Sequence, residues 1–187
     1  AIRGGVPVCF PQFNQRGTLV KHGFARNLAW ESDGQITVAD GRTVLSLSLS
    51  DTPDTRQWWP WRFKAVLTLT LVPGDLQVSL QVTNLGGLDH PAAALSFTGA
   101  LHTYLAVDDV GFATLSGLGG QAEWDAVTNA HGPAADHQTF NGEFDRVYAA
   151  ASTPLLLQDG SHRLRISQST SFADTVVWNP GAALCAR

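Results

Sequence analysis

From Leu76 to Thr83 every second residue is apolar: Leu76, Val78, Leu80 and Val82 alternate with Gln77, Ser79, Gln81 and Thr83. Side chains of an extended chain point alternately to opposite faces, so this pattern fits a strand with one face packed and the other in water. A half-wet strand belongs in an antiparallel sheet, because parallel sheets are covered on both sides. Residues 63–72 alternate in the same way and are joined to this strand by Pro73-Gly74-Asp75. Leu45, Leu47 and Leu49 alternate with serines, and Asp40-Gly41 separates that run from Ile36-Thr37-Val38. Asp159-Gly160 separates residues 155–158 from residues 162–167. Asp-Gly between two alternating runs is a tight-hairpin signal. Residues 144–148 and 174–178 add two further extended segments, the last ended by Asn179-Pro180. Many short strands, regular turns and no long helical period predict an all-β chain, a large antiparallel β-sandwich.

Other stretches are less regular. Gly4, Gly5, Pro7 and Pro11 punctuate the apolar opening, which reads as a shaped loop with brief extended pieces. Trp58, Trp59 and Trp61 surround Pro60 in a turn-rich segment, and residues 115–137 read as irregular connections. Residues 182–187 have the character of a helix start.

A chain of 187 residues is long enough to bury one core, and residues 1–187 read as a single domain. The net charge of −4 is spread among interspersed residues, which excludes the concentrated basic surface of a nucleic-acid or membrane binder. No membrane-length apolar run or signal peptide is present. Cys9 and Cys185 lie at opposite ends with no metal-ligand spacing, which points to free thiols in a reducing compartment, the cytoplasm. The chain opens Ala1-Ile2-Arg3 and contains no methionine, so it is expected to be a fragment of a longer domain.

Candidate chemistry centres on Gly99-Ala100-Leu101-His102-Thr103-Tyr104. By strand parity His102 shares a face with Ser96, Thr98, Ala100 and Tyr104, so small residues leave room against the imidazole. Arg3 stands before Gly4-Gly5, and Arg26 closes His22-Gly23-Phe24-Ala25-Arg26. Guanidinium groups are permanently charged and bind phosphate through paired hydrogen bonds, and an arginine buried in apolar sequence demands a partner. Glu143 and Asp145 share one strand face, either as solvent-facing residues or as a carboxylate pair for glycoside chemistry. The six histidines show no second ligand at helical or hairpin spacing, so no metal is expected, and no serine-nucleophile elbow is present.

Five motifs then occur in order: residues 2–13 (IRGGVPVCFPQF), 22–26 (HGFAR), 101–104 (LHTY), 144–148 (FDRVY) and 176–180 (VVWNP). In this order they resemble the hexose-6-phosphate mutarotases, also called glucose-6-phosphate 1-epimerases, of the galactose-mutarotase-like superfamily. The resemblance implies the large supersandwich of that superfamily, here incomplete at both termini, with a sugar cleft on one sheet. It implies interconversion of the α and β anomers of an aldohexose 6-phosphate, glucose 6-phosphate foremost, by acid/base ring opening and closure without a cofactor.

Position by position, the resemblance makes His102 the general acid, a role suited to an imidazole of pKa about 6.5. It makes Arg3 and Arg26 the ligands of the 6-phosphate. It puts His22 in the sugar site and Asp145 on the sugar hydroxyls, while Arg146 should face away from Asp145. The general base is a glutamate in a strand that follows Trp178-Asn179-Pro180 in the family, beyond Arg187. A chain without it would be expected to show little activity and an exposed sheet edge. The alternatives are a non-catalytic sugar-phosphate binder, an aldose 1-epimerase of free sugars, and a glycoside hydrolase using Glu143 and Asp145. Neither the preferred hexose nor the oligomeric state is legible in the residues.

Overall fold

The computed structural model describes residues 4–89, 93–149 and 153–185. The chain divides into two compact units, Ala1–Leu105 and Ala106–Arg187.

In the first unit the strands are β1 (Val8–Cys9), β2 (Glu31–Ala39), β3 (Arg42–Ser50), β4 (Trp61–Val72), β5 (Asp75–Gly87) and β6 (Ala100–Leu101). A six-residue helix, α1 (Pro53–Trp58), precedes β4. β2, β3, β4 and β5 form an antiparallel meander, and β1 pairs with β6. The hairpin at Asp40-Gly41 has φ of 51° and 72° at those two residues, both in the left-handed region that such turns require. Along β5 the alternation holds from Val78 on: Val78, Leu80 and Val82 are half-buried, while Gln77, Ser79, Gln81 and Thr83 are exposed; Leu76, expected on the packed face, is exposed at the hairpin end. Val78, Leu80 and Val82 pack onto a cluster of Val8, Phe10, Phe24, Leu49, Phe63, Ala65 and Leu67. Phe10, fully buried, stands edge-on to Trp59, Phe63 and Phe97 at centroid distances of 5.5, 5.2 and 5.1 Å. Edge-to-face rings at such distances add to the burial term, so Phe10 anchors the glycine- and proline-rich opening to the sheet.

The tryptophan segment differs from its expected form as a turn. Thr52 accepts from the Thr55 N–H and Thr55 returns a bond to Thr52, a capping box that starts α1 with Pro53 in its first turn. Residues 95–104 also contain less strand than the alternation suggests, with ladder pairing confined to β6.

In the second unit the strands are β7 (Thr114–Ser116), β8 (Ala122–Asp125), β9 (Ala130–Pro133), β10 (His137–Thr139), β11 (Phe144–Ala149), β12 (Leu155–Asp159), β13 (His162–Ile166) and β14 (Asp174–Asn179), followed by α2 (Gly181–Cys185). They form two antiparallel sheets, β10-β7-β12-β13 and β14-β11-β8-β9. Leu115, Leu155 and Leu157 of the first share one core with Phe144 and Tyr148 of the second. That is the two-layer packing of a sandwich. Four strands thus occupy the stretch read as irregular. Each is only three or four residues long, too short to display a period, and each pairs by registers that no local sequence signal sets. Among the described residues no helix is long and apolar enough to cross a membrane.

Candidate functional site

The first unit builds its site on the loop after β1. The Phe10–Pro11 peptide is cis. The Phe10 carbonyl accepts from the N–H groups of Phe24 and Ala25, both at 3.1 Å, and so receives the single turn of 3-10 helix Ala25–Asn27. Gly23 permits this approach: its φ is +67°, and a Cβ there would meet the Phe10 carbonyl and lie 2.9 Å from the Pro11 nitrogen. The close contact fixes His22 on one side of Gly23 and Arg26 three residues beyond it.

His22 itself has φ of 71°, and its ring closes the loop begun at Asn14. The His22 N–H donates to the Asn14 carbonyl at 2.9 Å, and the Asn14 N–H donates to His22 Nδ1 at 3.2 Å. A backbone N–H can only donate, so Nδ1 carries a lone pair and the neutral ring holds its proton on Nε2. Burial pushes the His22 imidazole down to a pKa of about 4, with Arg26, Lys21 and His102 adding in the same direction. His22 therefore stays neutral at physiological pH.

His102 follows β6 directly. Its N–H donates to the Pro7 carbonyl at 2.9 Å, and the Tyr104 N–H donates to the Gly5 carbonyl at 3.0 Å. The shared face read from parity is real: the His102 and Tyr104 rings stack at 4.9 Å, 20° apart. His102 meets His22 edge-on at 5.8 Å, and Phe13 lies 5.3 Å from His22. Gly99 lets this segment lie against β1, since a Cβ there would stand 3.1 Å from the Cys9 carbonyl oxygen. Cys9 is fully buried and its thiol is pushed up to about 11 by that burial, against the pull of Arg26, which leaves it an inert thiol. Cys185 is the other free cysteine and is exposed.

Arg26 corrects an expectation. It is exposed rather than buried, so the cost of a buried charge is not what constrains it. Among the described residues its side chain makes one hydrogen bond, Nη2 to the Lys21 carbonyl at 3.1 Å. It lines an open groove of about 320 Å³ with Gly4, Pro7, Trp30 and Leu67. The loop that forms this groove is the one that receives the His102 N–H. Arg3 lies outside the described residues.

The second unit carries Asp145 on β11, opposite Trp178 of β14, with its carbonyl accepting from Ala126 at 2.8 Å. Arg146 points to the other strand face, as expected. It pairs with Glu123 at 3.2 Å and Asp125 at 3.4 Å and lies 4.4 Å over the Phe144 ring. Arg146 is thereby spoken for within the unit. Glu143 precedes β11 and is exposed. The expectation that no histidine meets a second ligand across a hairpin needs correction, since His162 is the cross-strand partner of Asp159. Together with Asp108 these side chains gather within 4.8 Å, the one such group among the described residues. The Asp159 carboxylate already accepts from the Asp108 N–H, while His162 and Asp108 are 76% and 82% exposed. The group is a solvent-facing contact of His162 with Asp108, at 3.6 Å, above a loop clamp.

Sequence reading misses Gln12 and Asn14, which hold His22; the one available signal is a glutamine between Pro11 and Phe13 in an otherwise apolar run.

An all-β scaffold that brings two imidazoles into contact, keeps one of them neutral and leaves an arginine exposed nearby is equipped for proton transfer on an anionic ligand. The family described as aldose 1-epimerase matches residues 1–186. The chain belongs to the aldose 1-epimerase family. It is 32% identical to the "Putative glucose-6-phosphate 1-epimerase" of Cenchrus ciliaris over 191 residues, covering 96% of this chain and 56% of that protein. It is 35% identical over 190 residues to the Escherichia coli K12 protein of the same name, covering 98% of this chain and 60% of that one. Among solved structures, the "putative mutarotase" of Salmonella typhimurium superposes with a TM-score of 0.86 at 30% identity, covering 100% of this chain and 61% of that one. The chain thus spans less than two thirds of the length of these relatives, and its all-β architecture is that of the mutarotase fold.

Proposed function

We propose that this chain carries the phosphate and acid half of a site that interconverts the α and β anomers of an aldohexose 6-phosphate, glucose 6-phosphate foremost. The observation that carries the reading is the contact of His102 with a neutral His22 beside Lys21 and Arg26. Anomerisation by ring opening needs a proton delivered to the ring oxygen while another is removed from the anomeric hydroxyl. Protonating His22 would charge a half-buried ring beside two cations, so of the two imidazoles His102 is the one suited to carry the mobile proton. His22 is left as a fixed Nε2–H donor to a sugar oxygen. Arg26, with Arg3, supplies the charge that a phosphate requires and that a neutral sugar does not. Asp145 is proposed to bind sugar hydroxyls, and the base is proposed to be a glutamate that follows residue 187 in the longer relatives. Every step is a proton transfer, so the proposed reaction calls on no cofactor. A family match that runs unbroken over residues 1–186 supports one sandwich domain across the two units, and the free thiols support the cytoplasm as its compartment.

The test is anomerisation of glucose 6-phosphate by the intact protein, followed by magnetisation transfer between the C1 protons. His102→Gln should slow it by roughly 10²–10⁴-fold, the usual worth of positioned proton transfer. Arg26→Ala should raise KM for glucose 6-phosphate while leaving the free-glucose reaction nearly unchanged. Full activity in the His102 variant refutes the acid assignment. Equal effects of the Arg26 substitution on both sugars refute the phosphate role, and binding of glucose 6-phosphate without turnover points to a sugar-phosphate binder.

A further inference from the structure

The residue that organises the His22 loop is Gln12, which is 3% exposed. Its amide is fully used. Nε2 donates to the carbonyls of Asn14 at 3.0 Å and Leu19 at 3.1 Å, and Oε1 accepts from the Leu19 N–H at 3.0 Å. The amide therefore stands in for a strand partner and ties both ends of the loop, residues 14 and 19, to one buried point. Gly17 completes the fit, since a Cβ there would run into the Gln12 side-chain oxygen.

Asn14 sits at φ of 52°, in the left-handed region that asparagine enters more readily than most non-glycine residues, and the bonds of the loop select that conformation here. Its carbonyl receives both the Gln12 amide and the His22 N–H, and its own N–H reaches His22 Nδ1. The Gln12 amide and the His22 imidazole are thus linked through one backbone residue.

We propose that Gln12 is a positioning residue for His22: its buried amide enforces the left-handed turn at Asn14, whose N–H occupies Nδ1 and keeps the imidazole proton on Nε2. A ring so held presents an oriented donor, which recognises an acceptor oxygen such as a sugar hydroxyl or ring oxygen. The donor's use on a sugar rests on the reading given under Proposed function; the tautomer lock does not.

The experiment separates the two. Histidine labelled with ¹⁵N in the intact protein shows which ring nitrogen of His22 is protonated. In the wild type Nδ1 should resonate as a lone-pair nitrogen and Nε2 as a protonated one. In Gln12→Ala the two His22 resonances should move toward each other as the tautomers interconvert. Gly17→Ala alters an exposed loop residue and pushes on the Gln12 amide alone, so it gives the same readout should Gln12→Ala fail to fold. Shifted resonances uphold the inference. Unshifted His22 nitrogens in the folded variants overturn it, whatever happens to the anomerisation rate. Shifted resonances with an unchanged rate uphold the lock and remove His22 from the sugar site.

Discussion

Acid should destabilise this protein through His22 in a measurable and separable way. The imidazole titrates near 4 in the folded state and near 6.5 unfolded, so the unfolded chain binds its proton first. Stability from this group is complete above pH 6.5, falls as the pH drops from 6.5 to 4, and is constant below that. A difference of 2.5 units between those two values has a ceiling of about 3.5 kcal/mol, at roughly 1.4 kcal/mol per unit. His22 is only half-buried, and solvent screens the contributions of Arg26 and Lys21, so about 1–2 kcal/mol is expected.

The companion variant is His22→Asn. Asparagine tolerates the positive φ, its side-chain oxygen can accept from the Asn14 N–H, and it does not titrate. Urea unfolding at pH 7.5 and pH 4.5 should show the wild type losing about 1–2 kcal/mol more than His22→Asn between the two conditions. Ionisable groups away from the loop are common to both proteins and cancel in the difference, which leaves His22 and its coupling to His102. Equal losses would refute the depressed titration of His22, and with it the argument that His102 alone holds the mobile proton.

Two packing predictions follow from the loop beneath the site. Gly23→Ala adds a Cβ against the Phe10 carbonyl at a positive φ, so it should cost about 2–4 kcal/mol in chemical denaturation, and under the proposed function it should weaken glucose 6-phosphate binding by displacing His22 and Arg26 together. Phe63→Ala removes a fully buried ring that touches Phe10, Phe24 and Trp59, and should cost about 3–5 kcal/mol; a loss below 1 kcal/mol would mean that this cluster is not the core of the first unit.

Which of these features the residues announce depends on the range over which each is determined. The hairpin at Asp40-Gly41 and the alternation of β5 are local, since a two-residue turn and a period of two fix strand, face and register at once. The Asp159-Gly160 signal finds the second hairpin but misplaces its turn by one residue, because Asp159 pairs with His162 and the turn is Gly160-Ser161. β7 and β10, and the pairing of β8 with β11, are not local, because such short strands take their register from partners distant in sequence, whereas β9 only folds back on β8 across residues 126–129. The same distinction divides the site. His102 and Tyr104 lie two residues apart, so parity alone places their rings on one face, and they stack. His22 meets His102 across eighty residues, through a loop that only the left-handed turns at Asn14 and His22 allow to close. Asparagine and histidine enter that region more often than most non-glycine residues, a weak signal that no glycine or Asp-Gly pair strengthens here. The Asn14 turn is tied down by a buried glutamine two positions before it, a polar residue where the pattern calls for an apolar one. Arg26 fails in the opposite direction: apolar neighbours in sequence suggested burial, yet Phe24 and Ala25 face the core while the next residue emerges into solvent. For the phosphate role proposed for Arg26 that exposure is an advantage, because a guanidinium already buried and paired would have little charge left to offer a phosphate.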